Sequence, residues 1–460
     1  MSIQVSPSPI PNSNLVSLIS PLLDKDTYLT ELLNQVTAPK TEGWLQELRQ
    51  SAANWVRHST IPTTREEEWR FTDLSSLRKV QFNVETRNFA SVASVEFDIL
   101  PEAANSRLVF VNGVFAPELS AVSNLPSGIV VSNLAGLSAV EQEGVRQYLA
   151  QAEGAQEVFT ALNTAGITDA AVVWVKKNVV VETPIHLVFI SVVGETAMIS
   201  QPRCLVVAES GSQVTLVEEY TNRQDAKSAE DGVYLTNAVT EVWVGDNAEV
   251  SHTRVEWEGA EAFHIGKTAI AQARDSRYTC HAITLGAKLS RHNLEILQTG
   301  EQTQTTLNGL TIISGKQLSD THSAIALNYP HGTSDQLHKC IVGDRAHAVF
   351  NGKVFVPKLA QLTNATQLNR NLLLSSKARV DTKPQLEITA DNVKCAHGAT
   401  VSQLEDDEIF YLQSRGIDEN DARKLLINAF AAEVINKIPV PSLREILLNT
   451  VNNLKSLTND

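Results

Sequence analysis

Hydrophobic positions change their rhythm twice along the chain. Near the start they recur at helical spacing. Tyr28, Leu32, Leu33 and Val36 share one face, and Trp44, Leu45, Leu48, Ala52 and Trp55 share another. The stretch TTREEEWRFTDLSSL (63–77) pairs Thr63 with Glu66 in a capping-box pattern and predicts a further helix start. Residues 1 to about 25 are rich in Ser, Pro and Asn and predict a frayed end. From about 105 the pattern shortens. RLVFVNGVF (107–115) reads as strand, turn, strand, and a polar helical piece follows near Glu141 to Gln151. From about 170 to 394, short runs rich in Val, Ile and Thr dominate, bounded by Gly, Asp, Asn or Ser. No amphipathic helix separates them, which excludes a doubly wound sheet.

The turn signals Gly211, Gly245, Asp275, Gly300, Gly315, Gly343 and Ser376 follow one another at intervals of 15 to 34 residues. Such recurrence points to stacked turns. Hairpin dipeptides are few, Asn112-Gly113 and Asn351-Gly352 being the exceptions. A parallel β-helix is therefore preferred to a meander, while texture alone leaves a sandwich or a propeller open. After about 403 helices return. EDDEIFYLQSRG (405–416) has acids in its first turn and Gly416 as its stop. Asp418 caps a longer helix, in which Ala422, Leu425, Leu426, Ala429, Phe430, Val434 and Ile438 form a stripe. Pro439 and Pro441 end it, and Leu443 to Leu454 reads as a last helix. The division expected is 1–104 helical, 105–169 mixed, 170–402 parallel β-helix and 403–460 helical.

Composition narrows the function classes. With 38 Lys and Arg against 52 Asp and Glu, the formal charge is −14, which argues against a nucleic-acid or anionic-membrane surface. Hydrophobic residues make up 43%, enough to bury a core. The four cysteines, Cys204, Cys280, Cys340 and Cys395, are widely spaced and form no CxxC pair. A disulfide scaffold or a self-contained zinc or iron–sulfur site is not expected. No apolar run reaches ~18 residues and no signal peptide is legible, so the expected place is the cytoplasm, without a membrane span.

Candidate chemistry is sparse. Neither a GxxxxGK[ST] loop nor a GxGxxG turn occurs. The histidines His281, His292, His322, His331, His338 and His347 show no metal-binding spacing and read as β-helix corners and surface positions. KCAHGATVSQL (394–404) differs, because Cys395 and His397 are two residues apart. On a strand they leave the same face, and thiolate and imidazole are both ligands for soft metals. A buried free cysteine beside a strand-end histidine is the alternative, and two ligands are fewer than a cluster needs. Gly398 would allow a tight exit into the following helix.

The runs TSDQLHKCIVGDRAHAVFNGKVFV (333–356) and NRNLLLSSKARVDTKPQLEITADNVKCAHGATVSQLEDDEIFYLQSRGIDENDARKLLINAFAAEVI (369–435), with REEEWRFTDL near 65–74, resemble the SufB/SufD family of iron–sulfur cluster assembly proteins. The SufB branch carries Glu after the histidine, where this chain has Gly398. The resemblance implies a mainly β fold, a right-handed parallel β-helix flanked by α-helical N-terminal and C-terminal domains. It also implies a non-catalytic scaffold subunit that pairs with SufB through the β-helix and binds the ATPase SufC through the C-terminal helices. His397 and Cys395 fall where the family places candidate ligands for iron or a nascent iron–sulfur cluster. That cluster would be transient and shared with SufB, with none held tightly by this chain alone. Homodimerisation of the isolated chain stays open. A β-helix polysaccharide-active enzyme is the rival reading, weakened because no grouped carboxylates with bases are visible.

Overall fold

The Val-, Ile- and Thr-rich runs become strands wound into a parallel β-solenoid of about 8 turns. The computed structural model describes residues 25–36, 43–82, 97–193, 196–224 and 232–453. The frayed end expected over residues 1–25 therefore falls almost wholly outside the described residues.

Four short strands open the β body: β1 (Ser106–Val111), β2 (Val114–Phe115), β3 (Ala121–Val122) and β4 (Ile129–Asn133). Then follow β5 (Ala171–Val175), β6 (Ile185–Val193), β7 (Met198–Ser200), β8 (Arg203–Ala208), β9 (Gln213–Gln224) and β10 (Tyr234–Val244). The regular turns are β11 (Glu249–Glu258), β12 (Phe263–Gln272), β13 (Arg277–Gly286), β14 (Leu289–Gln298), β15 (Gln304–Ile313) and β16 (Leu318–Ala326). The last are β17 (Thr333–Val342), β18 (His347–Val356), β19 (Asn364–Leu373), β20 (Arg379–Ile388) and β21 (Lys394–Gln403). Odd-numbered strands from β9 onward stack in one sheet, ending β17-β19-β21, and even-numbered ones in a second, ending β16-β18-β20. All pairs from β9 and β10 onward are parallel; β4 with β5 and the pairs of β1 with β2 and β3 are antiparallel.

In-register pairing places Glu249, Arg277, Gln304, Thr333, Asn364 and Lys394 in one column, so each turn takes 27 to 31 residues. The corner two residues before each of these strands from β11 to β19 is left-handed: Asn247, Asp275, Gln302, His331 and Leu362 have φ of 54 to 61°. Each donates its backbone N–H to the neighbouring corner, as Asn247 does to Arg274 O and Leu362 to Asn392 O. A left-handed leucine or glutamine costs energy, and the stacked corner ladder supplies the compensation. Asn112 and Gly113 do form the expected hairpin turn, with φ of 48 and 77°. Asn351-Gly352 does not: it lies inside β18, because the adjoining ladder leaves it no place to turn.

Helices cover both outer faces. The N-terminal α1 (Thr27–Val36) and α2 (Trp44–Arg57), with α3 (Ala139–Val145) and α4 (Val158–Ala165), lie on the second sheet. Leu29, Leu32, Leu33 and Leu162 pack with Leu235, Phe263 and Leu289 of that sheet. The α2 face is rotated from the expected stripe, burying Arg49 and Val56 while Trp55 remains 45% exposed. Arg49 Nε donates to Ile167 O at 2.7 Å, which draws that face inward. The 63–77 stretch is not an α-helix. Glu66 Oε1 accepts from Thr63 N, but only a 3₁₀ turn, Glu67–Trp69, forms, since Trp69 and Thr72 are drawn to the sheet by Arg291 and Asp320. The polar piece near Glu141 is α3, capped by Ser138 and Glu141, and ends at Val145.

C-terminal α5 (Asp406–Ser414), α6 (Glu419–Ile435) and α7 (Pro441–Asn453) belong to the other side, where α6 and α7 pack on the first sheet. Asp418 caps α6 by accepting from Asn420 N and Asp421 N, and Gly416 turns at φ 89°. The buried stripe of α6 is Ala422, Ile427, Ala431, Val434 and Ile435, so the expected Ala422 and Val434, with Ile438 just beyond the helix, are buried, while the middle of the expected stripe is not. Leu425 and Ala429 are exposed and Phe430 is half-buried. At Phe430 the reason is charge: Lys339 Nζ rises from β17, sits 4.0 Å from the ring centre, donates to Phe430 O and pairs with Glu433, so this ring covers a cation.

The interior is not uniformly apolar. Leu, Val and Ala fill the first turns, but the middle turns hold a buried polar network. Glu218 accepts from His252 Nε2 at 2.8 Å and from Tyr220 and Thr240, while His252 Nδ1 meets Tyr278 OH at 3.0 Å. Beside it, Arg254 pairs with Glu256, and His264 bridges Arg254 and Glu258. Although burial alone would raise it, hydrogen bonds and the charge of His252 bring the Glu218 carboxyl down to about 2. A folded-state value below the ordinary 4.5 contributes stability that is complete above that pH and is lost as pH falls toward 2. Glu218→Gln should therefore cost roughly 3 kcal/mol at neutral pH and flatten the acid limb of a stability–pH curve between those values. Urea melts of the full chain at stepped pH measure both; an unchanged acid limb would contradict the assignment.

Candidate functional site

The solenoid ends at β20 and β21. Among the described residues β21 pairs only with β19, and β20 only with β18, so the far edge of each strand carries unpaired backbone groups. Both strands are ten residues long, and β21 is mostly exposed. Residues Cys395 and His397 lie on β21 in register with Ala365 and Gln367 of β19. Strand alternation puts them on one face, and Cys395 packs against the interior cluster that includes Ala365, so this is the face turned toward the lumen.

The two positions differ. Cys395 is half-buried, and burial pushes its thiol up, opposed by a backbone hydrogen bond with Ala365. It is a protonated thiol at neutral pH, and metal binding there must displace a proton. His397 is exposed at the rim. Directly beneath it, Gln367 is 2% exposed; its Nε2 donates to Gln336 Oε1 at 2.8 Å, and Gln336 Nε2 donates to Ser323 Oγ at 2.8 Å. The Gln367 Oε1 is buried without a partner. A buried acceptor one rung below an imidazole is suited to hold one ring N–H and so orient the other nitrogen outward.

This amide ladder escaped sequence reasoning. Its signal was the spacing Gln336, Gln367, His397, one solenoid turn apart, which has meaning only once the register is known. Gly398 does not serve as an exit to a helix: it lies mid-strand, α5 begins eight residues later at Asp406, and a Cβ at Gly398 would meet Leu368 Cδ1 at 3.3 Å.

No group of three or more His, Cys, Asp or Glu able to hold a metal exists among the described residues. This chain thus brings a two-donor fragment to an open edge. The other histidines are mostly not corners or surface positions. His292 and His338 are buried in the lumen, and burial holds His338 near 4 and His292 well below its usual value. His281 is buried on the outer face and is likewise held near 4. His322 and His347 pair with Asp320 and Asp381, and only His331 occupies an exposed corner.

A second surface stands out at the C-terminal helices. Phe410 and Tyr411 of α5 are 70% and 57% exposed, and Leu425 of α6 is 51% exposed.

The cysteines supply a check on the end of the solenoid. Cys204, Cys280 and Cys340 are buried, so iodoacetamide should label Cys395 first. Its rate should lie below that of a free thiol at neutral pH and climb as the pH is raised. Peptide mapping by mass spectrometry reads the order, and early labelling of a buried cysteine would mean that the solenoid opens.

Comparison with known proteins places this geometry in context. Residues 190–430 match the family model described as SUF system FeS cluster assembly, SufBD core domain, and residues 27–187 match SufBD protein N-terminal region. A relative from Synechocystis, named iron-sulfur cluster assembly SufBD family protein, is 49% identical over 95% of this chain and 98% of its own. Protein ABCI7, chloroplastic, from Arabidopsis thaliana is 36% identical over 91% of this chain and 87% of its own. Iron-sulfur cluster assembly protein SufD from Escherichia coli is 32% identical over 92% and 94%.

Proposed function

The chain belongs to the SufB/SufD family of iron–sulfur cluster assembly proteins, and from that premise we propose that it is a non-catalytic scaffold subunit on which iron is acquired and a nascent cluster is built. In this reading the chain takes the SufD role and pairs with SufB through the open end of the solenoid. The observation that carries it is the pairing of an exposed His397 and a half-buried Cys395 on a strand whose outer edge lacks a partner. Backbone groups along β21 offer a template for another chain's strand. Two donors cannot fill the coordination shell of iron, but they contribute to a site completed across two subunits. Such a divided site suits cargo that must leave again. The exposed Phe410, Tyr411 and Leu425 support a docking surface for the ATPase SufC at the C-terminal helices. Those helices are tied to β17 through Lys339 and Glu433, so movement of a bound ATPase has a rigid route to the solenoid. No described helix is long and apolar enough to cross a membrane.

The histidine is assigned the larger part as ligand. His397→Ala should leave melting of the isolated chain nearly unchanged, because an exposed imidazole contributes little to stability. It should lower iron per assembled complex, whereas Cys395→Ser should lower it less. Metal analysis of complexes purified with each variant decides between roles. Full iron with His397→Ala rejects the ligand, and failure of the complex to form makes His397 an interface residue instead. Phe410→Asp together with Leu425→Asp should abolish capture of the ATPase without unfolding the solenoid; retained capture moves that docking surface elsewhere.

A further inference from the structure

A cavity of about 790 Å³ lies away from the lumen, between the N-terminal segments and the outer face of the second sheet. Its floor is a ladder of outward side chains in register: Lys267 on β12, Asn293 on β14, His322 on β16 and Asn351 on β18. Its rim carries the acidic turn Glu66, Glu67 and Glu68, and the residue before α4, Glu157. None of these groups belongs to the solenoid end or to the C-terminal helices.

The floor holds polar groups that the fold leaves unspent. Asn351 is 7% exposed, lines the cavity and has no side-chain hydrogen bond among the described residues. Asn293 Oδ1 is buried without a partner. The buried Lys267 ammonium faces two carboxylates, Glu157 at 2.8 Å and Glu295. With both carboxylates ionised that trio has one negative charge in excess, Lys267 being buried and the two carboxylates partly open to the cavity. Burial and the facing Glu157 push the Glu295 carboxyl up in spite of Lys267, so the site resists its own second negative charge. Of the other cations of the lining, Arg291 pairs with Asp320 and stacks on Trp69, Lys353 pairs with Glu387, and Lys25 stands at the rim; Glu67 and Glu68 of the rim face Lys383 and His322.

Orphan acceptors, an uncompensated carboxylate and an acidic rim all call for N–H donors carrying positive charge. We propose that this cavity binds an alkylammonium group, with Glu157 and Glu295 neutralising it, Asn293 and Asn351 accepting its N–H bonds and the acidic rim drawing it in. The same chemistry is carried by a free polyamine and by a lysine side chain of a peptide.

Trp55 and Trp69 line the cavity and report occupancy through their fluorescence. The full chain is titrated with spermidine, with the peptide acetyl-Lys-Lys-Lys-amide and with acetyl-Glu-Glu-Glu-amide, against sodium chloride of equal ionic strength. Saturable sub-millimolar binding of one or both cations, absent with the acidic peptide, is expected. Glu295→Gln and Asn351→Leu should each weaken it about tenfold, or about 1.4 kcal/mol, with melting temperature recorded so that misfolding is distinguished from lost affinity. Spermidine alone binding identifies a free amine, and the peptide alone a protein side chain. No saturable response to either cation, or affinities equal in the parent and both folded variants, overturns the proposal.

Discussion

The structure depends on the hydrogen-bond ladder that joins one solenoid turn to the next. Each interior strand is satisfied on both edges, so every turn is held by its neighbours and not by its own sequence. Such a stack has two ends, and they are treated differently. At the first end, β2 and β3 lie antiparallel to β1, and β4 lies antiparallel to β5. These short strands blunt the edges. At the last end β20 and β21 run their full length without outer partners among the described residues. Pro384 on β20 and the charged Arg379, Lys383 and Lys394 discourage indiscriminate pairing while leaving most of the edge available.

The polar interior belongs to the same logic. An apolar lumen would tolerate slippage of a strand by two residues, since one valine replaces another. Glu218, His252 and Tyr278 tolerate none, because each is 1% exposed and satisfied by groups on adjacent strands. Moving one strand would strand a charge in the core. Register fixed in the middle of the stack is inherited by the last turn, where the Gln336 and Gln367 ladder hands it to His397.

Much of this was legible from the chain. Short strands without intervening helices gave the parallel stack, and Asp418, Gly416 and the Asn112-Gly113 turn stand where their chemistry requires. The errors share one cause, which is contact between residues distant in sequence. Phe430 reads as helix core until Lys339, some ninety positions earlier, claims its ring. The expected Asp275 turn is a left-handed corner, but the corners at Gln302 and Leu362 carry no such signal, being held by stacking and not by their own preference. For the candidate site, the alternation of Cys395 and His397 put them on one face, but the inequality between them was hidden. It arises from Ala365 and Gln367 one turn away, and only the register reveals those neighbours.

That inequality bears on how a scaffold can hold cargo without keeping it. Cys395 is packed at the rim of the apolar interior and keeps its proton by burial, so it yields a thiolate only when a metal repays the cost. His397 is exposed instead, one rung above the unpartnered Gln367 oxygen. In the proposed role, two donors alone would hold iron weakly. Donors added across the edge would raise affinity steeply, because the geometry of this half is already set by the ladder beneath it. Separating two such edges by even a small distance would remove that gain at once. In the proposed scaffold role, retention and release would then be governed by the junction between chains.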